Sequence, residues 1–179
     1  MDLGFRIVDA NTGTKRWQSG YAAPYTPSSP TAAHRSGPKA TPIFLDGKII
    51  TLGINGIVAA FDAQRGTILW RTAEPPEAPF FSAASSPVGE GRIVITHPGN
   101  YGPLTAFETS SGKVSWVAGG EAFFMPPAIV ALHGIRQVVS VTQAAVVGVA
   151  IEDGRSIRDP RSTRPRPPKV DQASRTIFA

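Results

Sequence analysis

An acidic residue, a glycine four positions later and a tryptophan four beyond that occur three times in this chain. The copies are Asp9, Gly13 and Trp17; Asp62, Gly66 and Trp70; and Glu108, Gly112 and Trp116. A fourth copy keeps Gly154 in register, with Ala150 and Arg158 at the acidic and tryptophan positions. The glycines are spaced by 53, 46 and 42 residues. A period in this range means one supersecondary unit per repeat, stacked on its neighbours because no single unit can bury a core alone. The pattern constrains architecture strongly and chemistry weakly.

Each copy follows an apolar stretch, such as Ile57-Val58-Ala59-Ala60-Phe61, and leads into another, Ile68-Leu69-Trp70. Two short strands with a turn between them read as a β-hairpin. The glycine supplies the positive φ that a four- or five-residue hairpin loop requires. The carboxylates of Asp9, Asp62 and Glu108 are suited to accept backbone N–H bonds two or three residues on, closing the turn from within. The tryptophan brings a large apolar face and one N–H donor, suited to docking on an adjacent unit. These motif residues, Gly154 included, are therefore expected to be structural.

A second pair of strands precedes each hairpin. Thr41 to Leu45 turns at Asp46-Gly47 into Lys48 to Leu52, and Asp-Gly is a strong hairpin signal. Ser86-Pro87-Val88 turns at Glu90-Gly91 into Arg92 to Thr96, and Pro127 to Ala131 turns near His133-Gly134 into Gln137 to Val141. Four strands per unit, with spacings in the forties, predict the four-stranded antiparallel blades of a β-propeller. No window carries a sustained helical period, so the expected class is all-β.

The run Ala60-Phe61-Asp62-Ala63-Gln64-Arg65-Gly66-Thr67-Ile68-Leu69-Trp70 resembles the tryptophan-docking repeat of pyrroloquinoline-quinone-type propellers. Thr41-Pro42-Ile43, Asp46-Gly47-Lys48 and Ser86-Pro87-Val88 are similar to the opening of the same repeat. The resemblance covers residues 1 to about 158. It implies a propeller, and it embraces both dehydrogenases that bind the quinone with calcium and non-enzymatic outer-membrane assembly scaffolds. It also implies a parent in the bacterial periplasm or envelope.

Closed propellers of this type commonly carry six to eight blades. Residues 1–158 hold a half blade, two full blades at about 40–73 and 85–118, and a last blade without its outer strand. The expectation is an open arc of a larger propeller, partnered by the remaining blades or by another protein and prone to self-association. No signal-peptide pattern opens the chain, and no apolar run is long enough to span a membrane.

The net charge of +5 is concentrated at the end. Residues 159–179 place Arg161, Arg164, Arg166, Lys169 and Arg175 against Asp159 and Asp171, among four prolines. Such a segment is expected to be a solvated tail. No aromatic residue lies among its arginines, so no stacking platform for nucleic acid is present. Two other irregular stretches, Gly20 to Lys39 and residues 73–84, read as loops between blades, where specificity resides.

Few residues of the chain are suited to chemistry. With no cysteine, disulfides, thiolate metal sites and the vicinal cysteine pair that many quinone-dependent alcohol dehydrogenases hold against the cofactor are all excluded. His34, His97 and His133 fall in different units, without metal-ligand spacing. His97, at a strand end, reads as a surface or packing residue. The oxygens that could serve calcium away from the turns are those of Asn55, Asn100, Glu74, Glu77 and Glu121, none of which matches the family's ligands. The expected function is a ligand- or protein-binding scaffold without catalysis of its own. The alternative is a piece of a quinone- and calcium-dependent dehydrogenase whose catalytic blades lie elsewhere.

Overall fold

The central strands of the second and third sheets bury both faces, and each face belongs to a different core. In the computed structural model, residues 2–27, 33, 37–77, 79–80, 82–120, 125–143 and 145–157 are described. They form thirteen strands and no α-helix. The stretch 158–179, His34 and Glu121 lie outside the described residues.

Four antiparallel sheets follow one another along the chain. The first pairs β1 (Asp2–Val8) with β2 (Lys15–Ala22). The second is β3 (Ile43–Leu45), β4 (Lys48–Leu52), β5 (Val58–Asp62) and β6 (Ile68–Arg71), in that order. The third repeats it with β7 (Val88–Glu90), β8 (Ile93–Thr96), β9 (Leu104–Glu108) and β10 (Val114–Ala118). The fourth holds β11 (Ala128–Leu132), β12 (Ile135–Val141) and β13 (Val146–Val149). A bridge from Val149 to Ser156 and the bond from Ile157 N–H to the Gly148 carbonyl begin a further strand. Thus β2 reaches Ala22, further into the proline-rich stretch than the sequence indicates.

Sequential up-and-down pairing in repeated sheets is the arrangement of propeller blades. Sheets meet at their first strands, β3 against β7 and β7 against β11, which places those strands nearest a common axis. The tryptophan strands β6 and β10 therefore lie at the outer edge. Asp46 and Gly47, at φ 50° and 70°, form the two-residue turn between β3 and β4, as His133 and Gly134 do between β11 and β12. Two positive φ values in a two-residue loop define the turn that matches the strand twist.

No blade has a private core. Ile57, Ala59 and Phe61 pack with Tyr21 of the first sheet and with Ala23 just after it. Their neighbours Val58 and Ala60 point the other way and pack with Val94 and Phe107 of the third sheet. Leu104 and Ala106 in turn meet Val138 and Val149 of the fourth. Strand β5 is fully covered from Val58 to Phe61, so it reads as a continuous apolar run. The stabilising burial lies between repeats, as the stacking argument requires.

Each tryptophan strand has a one-residue bulge directly before the tryptophan: Arg16, Leu69 and Ser115 have no partner opposite them. Because side chains alternate with period two, one extra residue moves the tryptophan to the other face of its sheet.

Candidate functional site

The bulge aims each indole at the next repeat. Trp17 donates its Nε1–H to the Ala63 carbonyl at 3.0 Å, Trp70 to Thr109 at 2.8 Å and Trp116 to Ile151 at 2.9 Å. Each acceptor is the residue after the acidic position of the following copy. Each ring also covers the glycine of that copy. A Cβ built on Gly66 would lie 2.6 Å from Cδ2 of Trp17, one on Gly112 2.6 Å from Cδ2 of Trp70, and one on Gly154 2.8 Å from Cδ2 of Trp116. Glycine is needed there twice over, for the space and for φ values of 74°, 71° and 69°.

The turn that receives the ring has one backbone form in all four copies. Residue Gly13, Gly66, Gly112 or Gly154 donates its N–H to the carbonyl of Asp9, Asp62, Glu108 or Ala150. The last four residues in turn donate to the carbonyls of Thr14, Thr67, Lys113 and Arg155. The carboxylates then differ. Asp9 Oδ1 accepts from Asn11 and Thr12 N–H, and Asp62 Oδ1 from Gln64 and Arg65 N–H. Glu108 departs from the expected pattern: its Oε2 takes the Ser111 hydroxyl at 2.9 Å, and Ser111 Oγ takes the Lys113 N–H. Ala150 offers no carboxylate, and its turn keeps the same backbone bonds.

Charge reinforces two of these turns. Arg16 pairs with Asp9 at 2.6 Å, and that hydrogen bond, followed by the Asn11 and Thr12 amides, lowers the Asp9 pKa. Asp62 is lowered chiefly by the Arg65 N–H, then by Gln64 N–H and the Arg65 charge. Both groups are surface carboxylates held ionised by the turn.

The β4–β5 turn, the connection from β6 to β7 and the β8–β9 loop meet on one face of the blades. Ala83 N–H donates to the Ile54 carbonyl at 3.0 Å, and Phe80 N–H to Asn100 Oδ1 at 3.0 Å. Between them lies a recess lined by Ser82, Ser85, His97, Asn100 and Tyr101, with free space of about 20 Å³. That is room for one water molecule. Ser82 and Tyr101 hold positive φ of 73° and 53°, and the buried Ser82 Oγ has no protein partner among the described residues.

His97 closes this recess, and it is buried. Its Nδ1 lies 3.0 Å from the Gly102 carbonyl and its Nε2 2.7 Å from Ser140 Oγ. A carbonyl only accepts, so Nδ1 carries the proton and Nε2 accepts from Ser140. Burial lowers the His97 pKa, which keeps the ring neutral. The pair has the atoms of a nucleophile and its base. Ser140, however, is 1% exposed, and a main-chain carbonyl stands where an orienting carboxylate would be needed. It is a tie from the third blade to the fourth. His133 sits exposed in its turn.

The structure does not assemble the candidate calcium oxygens. Asn55 is buried with Oδ1 facing Ile57 N–H at 3.5 Å, Asn100 is committed to Phe80, and Glu74 and Glu77 are exposed. No three histidine or acidic side chains gather among the described residues. Among the described residues the donor set does not fit calcium with the quinone.

The repeat, the bulge and the indole on the following glycine define consecutive blades of a pyrroloquinoline-quinone-like β-propeller. The family model for the outer membrane protein assembly factor BamB matches residues 5–176, and the chain belongs to that family. No curated protein matches it. Among solved structures, BamB from Moraxella catarrhalis is similar at 16% identity and a TM-score of 0.59, over 86% of this chain and 45% of that one. Quinohemoprotein alcohol dehydrogenase from Comamonas testosteroni is similar at 15% identity and 0.61, over 87% and 31%. The computationally designed Ika8 protein is similar at 15% identity and 0.61, over 86% and 42%. The chain thus spans less than half the length of these three proteins.

Proposed function

We propose that this chain is a protein-binding scaffold of the bacterial envelope, built of propeller blades and without catalysis of its own. The observation that carries the reading is the apolar surface of the fourth sheet, where Leu132, Ile135 and Val146 are 48%, 50% and 69% exposed. Leu132 pairs with Ile135 and Val146 with Val141 on the same face of the sheet, and exposed apolar side chains on one face favour association. Membership of a family described as an outer membrane assembly factor supports both the scaffold role and the location. No helix of the described residues is long and apolar enough to cross a membrane. The polar groups that resemble a reactive site, His97 and Ser140, are spent on joining blades.

Titration of the chain with pyrroloquinoline quinone and calcium, followed by absorbance and a dye-coupled alcohol oxidation assay, tests the reading. It predicts neither micromolar binding nor turnover. Saturable binding with turnover would move the chain to the dehydrogenases.

A further inference from the structure

Ser82 Oγ is buried without a protein partner among the described residues, and Ser82 lines the recess between the second and third blades. The residue is 1% exposed. A hydroxyl closed off from solvent and left unbonded forfeits the hydrogen bonds that water gives it in the unfolded chain. The backbone cannot turn away to relieve this. Ser82 sits at φ 73°, its N–H donates to the Pro79 carbonyl at 3.1 Å, and the Ala83 N–H donates to Ile54 at 3.0 Å. These bonds hold the serine in a left-handed conformation that it adopts only at a cost.

The recess offers what that hydroxyl lacks. Every residue that lines it falls between Pro79 and Gly102, and the sheets on either side each have four strands. A buried water is held by roughly two to four polar groups. Besides Ser82, the lining holds Ser85 and Asn100. Ser85 is 3% exposed, and its Oγ donates a long bond of 3.4 Å to the Met125 carbonyl and has lone pairs with which to accept. Asn100 Oδ1 takes the Phe80 N–H at 3.0 Å and has a second lone pair. His97 commits both ring nitrogens, to the Gly102 carbonyl and to Ser140, so it closes the recess without bonding into it.

We infer that the recess is a binding site for a single water molecule, which accepts from the Ser82 hydroxyl and donates to Asn100 Oδ1 and Ser85 Oγ. The water bridges the β6–β7 connection, which carries both serines, to the β8–β9 loop, which carries Asn100. It fixes against each other two segments that Ala83 and His97 tie to the β4–β5 turn and to the fourth blade. No carboxylate lines the recess, so the neutral donor set suits water and not a hard cation. The volume of about 20 Å³ excludes a larger ligand.

The test is a high-resolution crystal structure of the full chain, joined to denaturant melts of the wild type and of Ser82→Ala. The wild type is expected to show one ordered water within hydrogen-bond distance of Ser82 Oγ and of Asn100 or Ser85. Ser82→Ala should lower the denaturation midpoint, because the water loses the group that donates to it. A dry recess predicts the opposite sign, since deleting an unpaired buried hydroxyl removes its penalty. A Ser82→Ala midpoint equal to or above that of the wild type would therefore overturn the proposal. So would a wild-type recess without density, one filled by an ion, or a Ser82 Oγ bonded to a protein group. Should the variant not fold, the wild-type density alone decides.

Discussion

The indole of Trp116 lies on Gly154, with its N–H bonded to the Ile151 carbonyl at 2.9 Å. The fourth copy of the motif has lost its acidic residue and its tryptophan, and it still receives its neighbour's ring. The motif is therefore two half-sites, a donor tryptophan and a receiving turn, and each half has its own requirement. The receiving half needs the glycine and a free carbonyl. The acid supports the turn without being indispensable to it.

Filled and open turns should respond differently to the same substitution. Gly112→Ala places a methyl group in the Trp70 ring and adds backbone strain at φ +71°. Undocking a buried tryptophan costs on the order of 3 kcal/mol or more, and the positive φ about 1 kcal/mol further. Gly13→Ala meets no ring and should cost only the φ term, about 1 kcal/mol. Denaturant melts of the two variants check the difference, which equal losses would refute.

Acid should weaken the Asp62 turn. The folded carboxyl titrates below its unfolded counterpart because the Arg65 amide bonds to the ionised form. The stability it contributes is present above the unfolded carboxylate pKa and is lost as pH falls through the lower folded value. Carboxyl-carbon NMR should place the Asp62 midpoint below the ordinary range, and Asp62→Asn should flatten the acid limb of the stability profile.

His97 acts in the same sense at higher pH. Burial lowers its pKa, so below the ordinary histidine value the unfolded chain binds a proton that the folded chain refuses. Stability should fall as pH drops through that range, and His97→Gln should reduce the slope. Ser140→Ala leaves Nε2 without its donor and should cost about 1–3 kcal/mol. A slope unchanged in His97→Gln would contradict the neutral, buried ring.

The exposed apolar side chains of the fourth sheet should drive concentration-dependent association of the purified chain. Light scattering should show that Val146→Lys with Ile135→Lys reduces it, while Gly13→Ala leaves it unchanged. A monodisperse chain at all concentrations would remove this surface from the account.

The positions that repeat in residue type were readable. Asp-Gly-Trp spacing and the alternating runs located the hairpins, the blades and the fold class. The bulges were not readable, because Arg16, Leu69 and Ser115 share no side-chain chemistry and only pairing reveals them. Nor were the indole acceptors, since a main-chain carbonyl has no signature in the sequence. His97 looked peripheral because its partner, Ser140, sits 43 residues away on the next blade. Glu108 matched the motif by charge, but its carboxylate bonds to Ser111 instead of the backbone amides.

The central claim is that each repeat is joined to the next by a tryptophan on a glycine. A double-mutant cycle on Trp116→Leu and Gly154→Ala measures that contact directly. Both changes remove the same docked ring, so the account predicts that the double variant loses clearly less than the two singles together. The expected coupling is on the order of 2 kcal/mol. Strict additivity would show that the two residues do not meet in solution, and would contradict the docking.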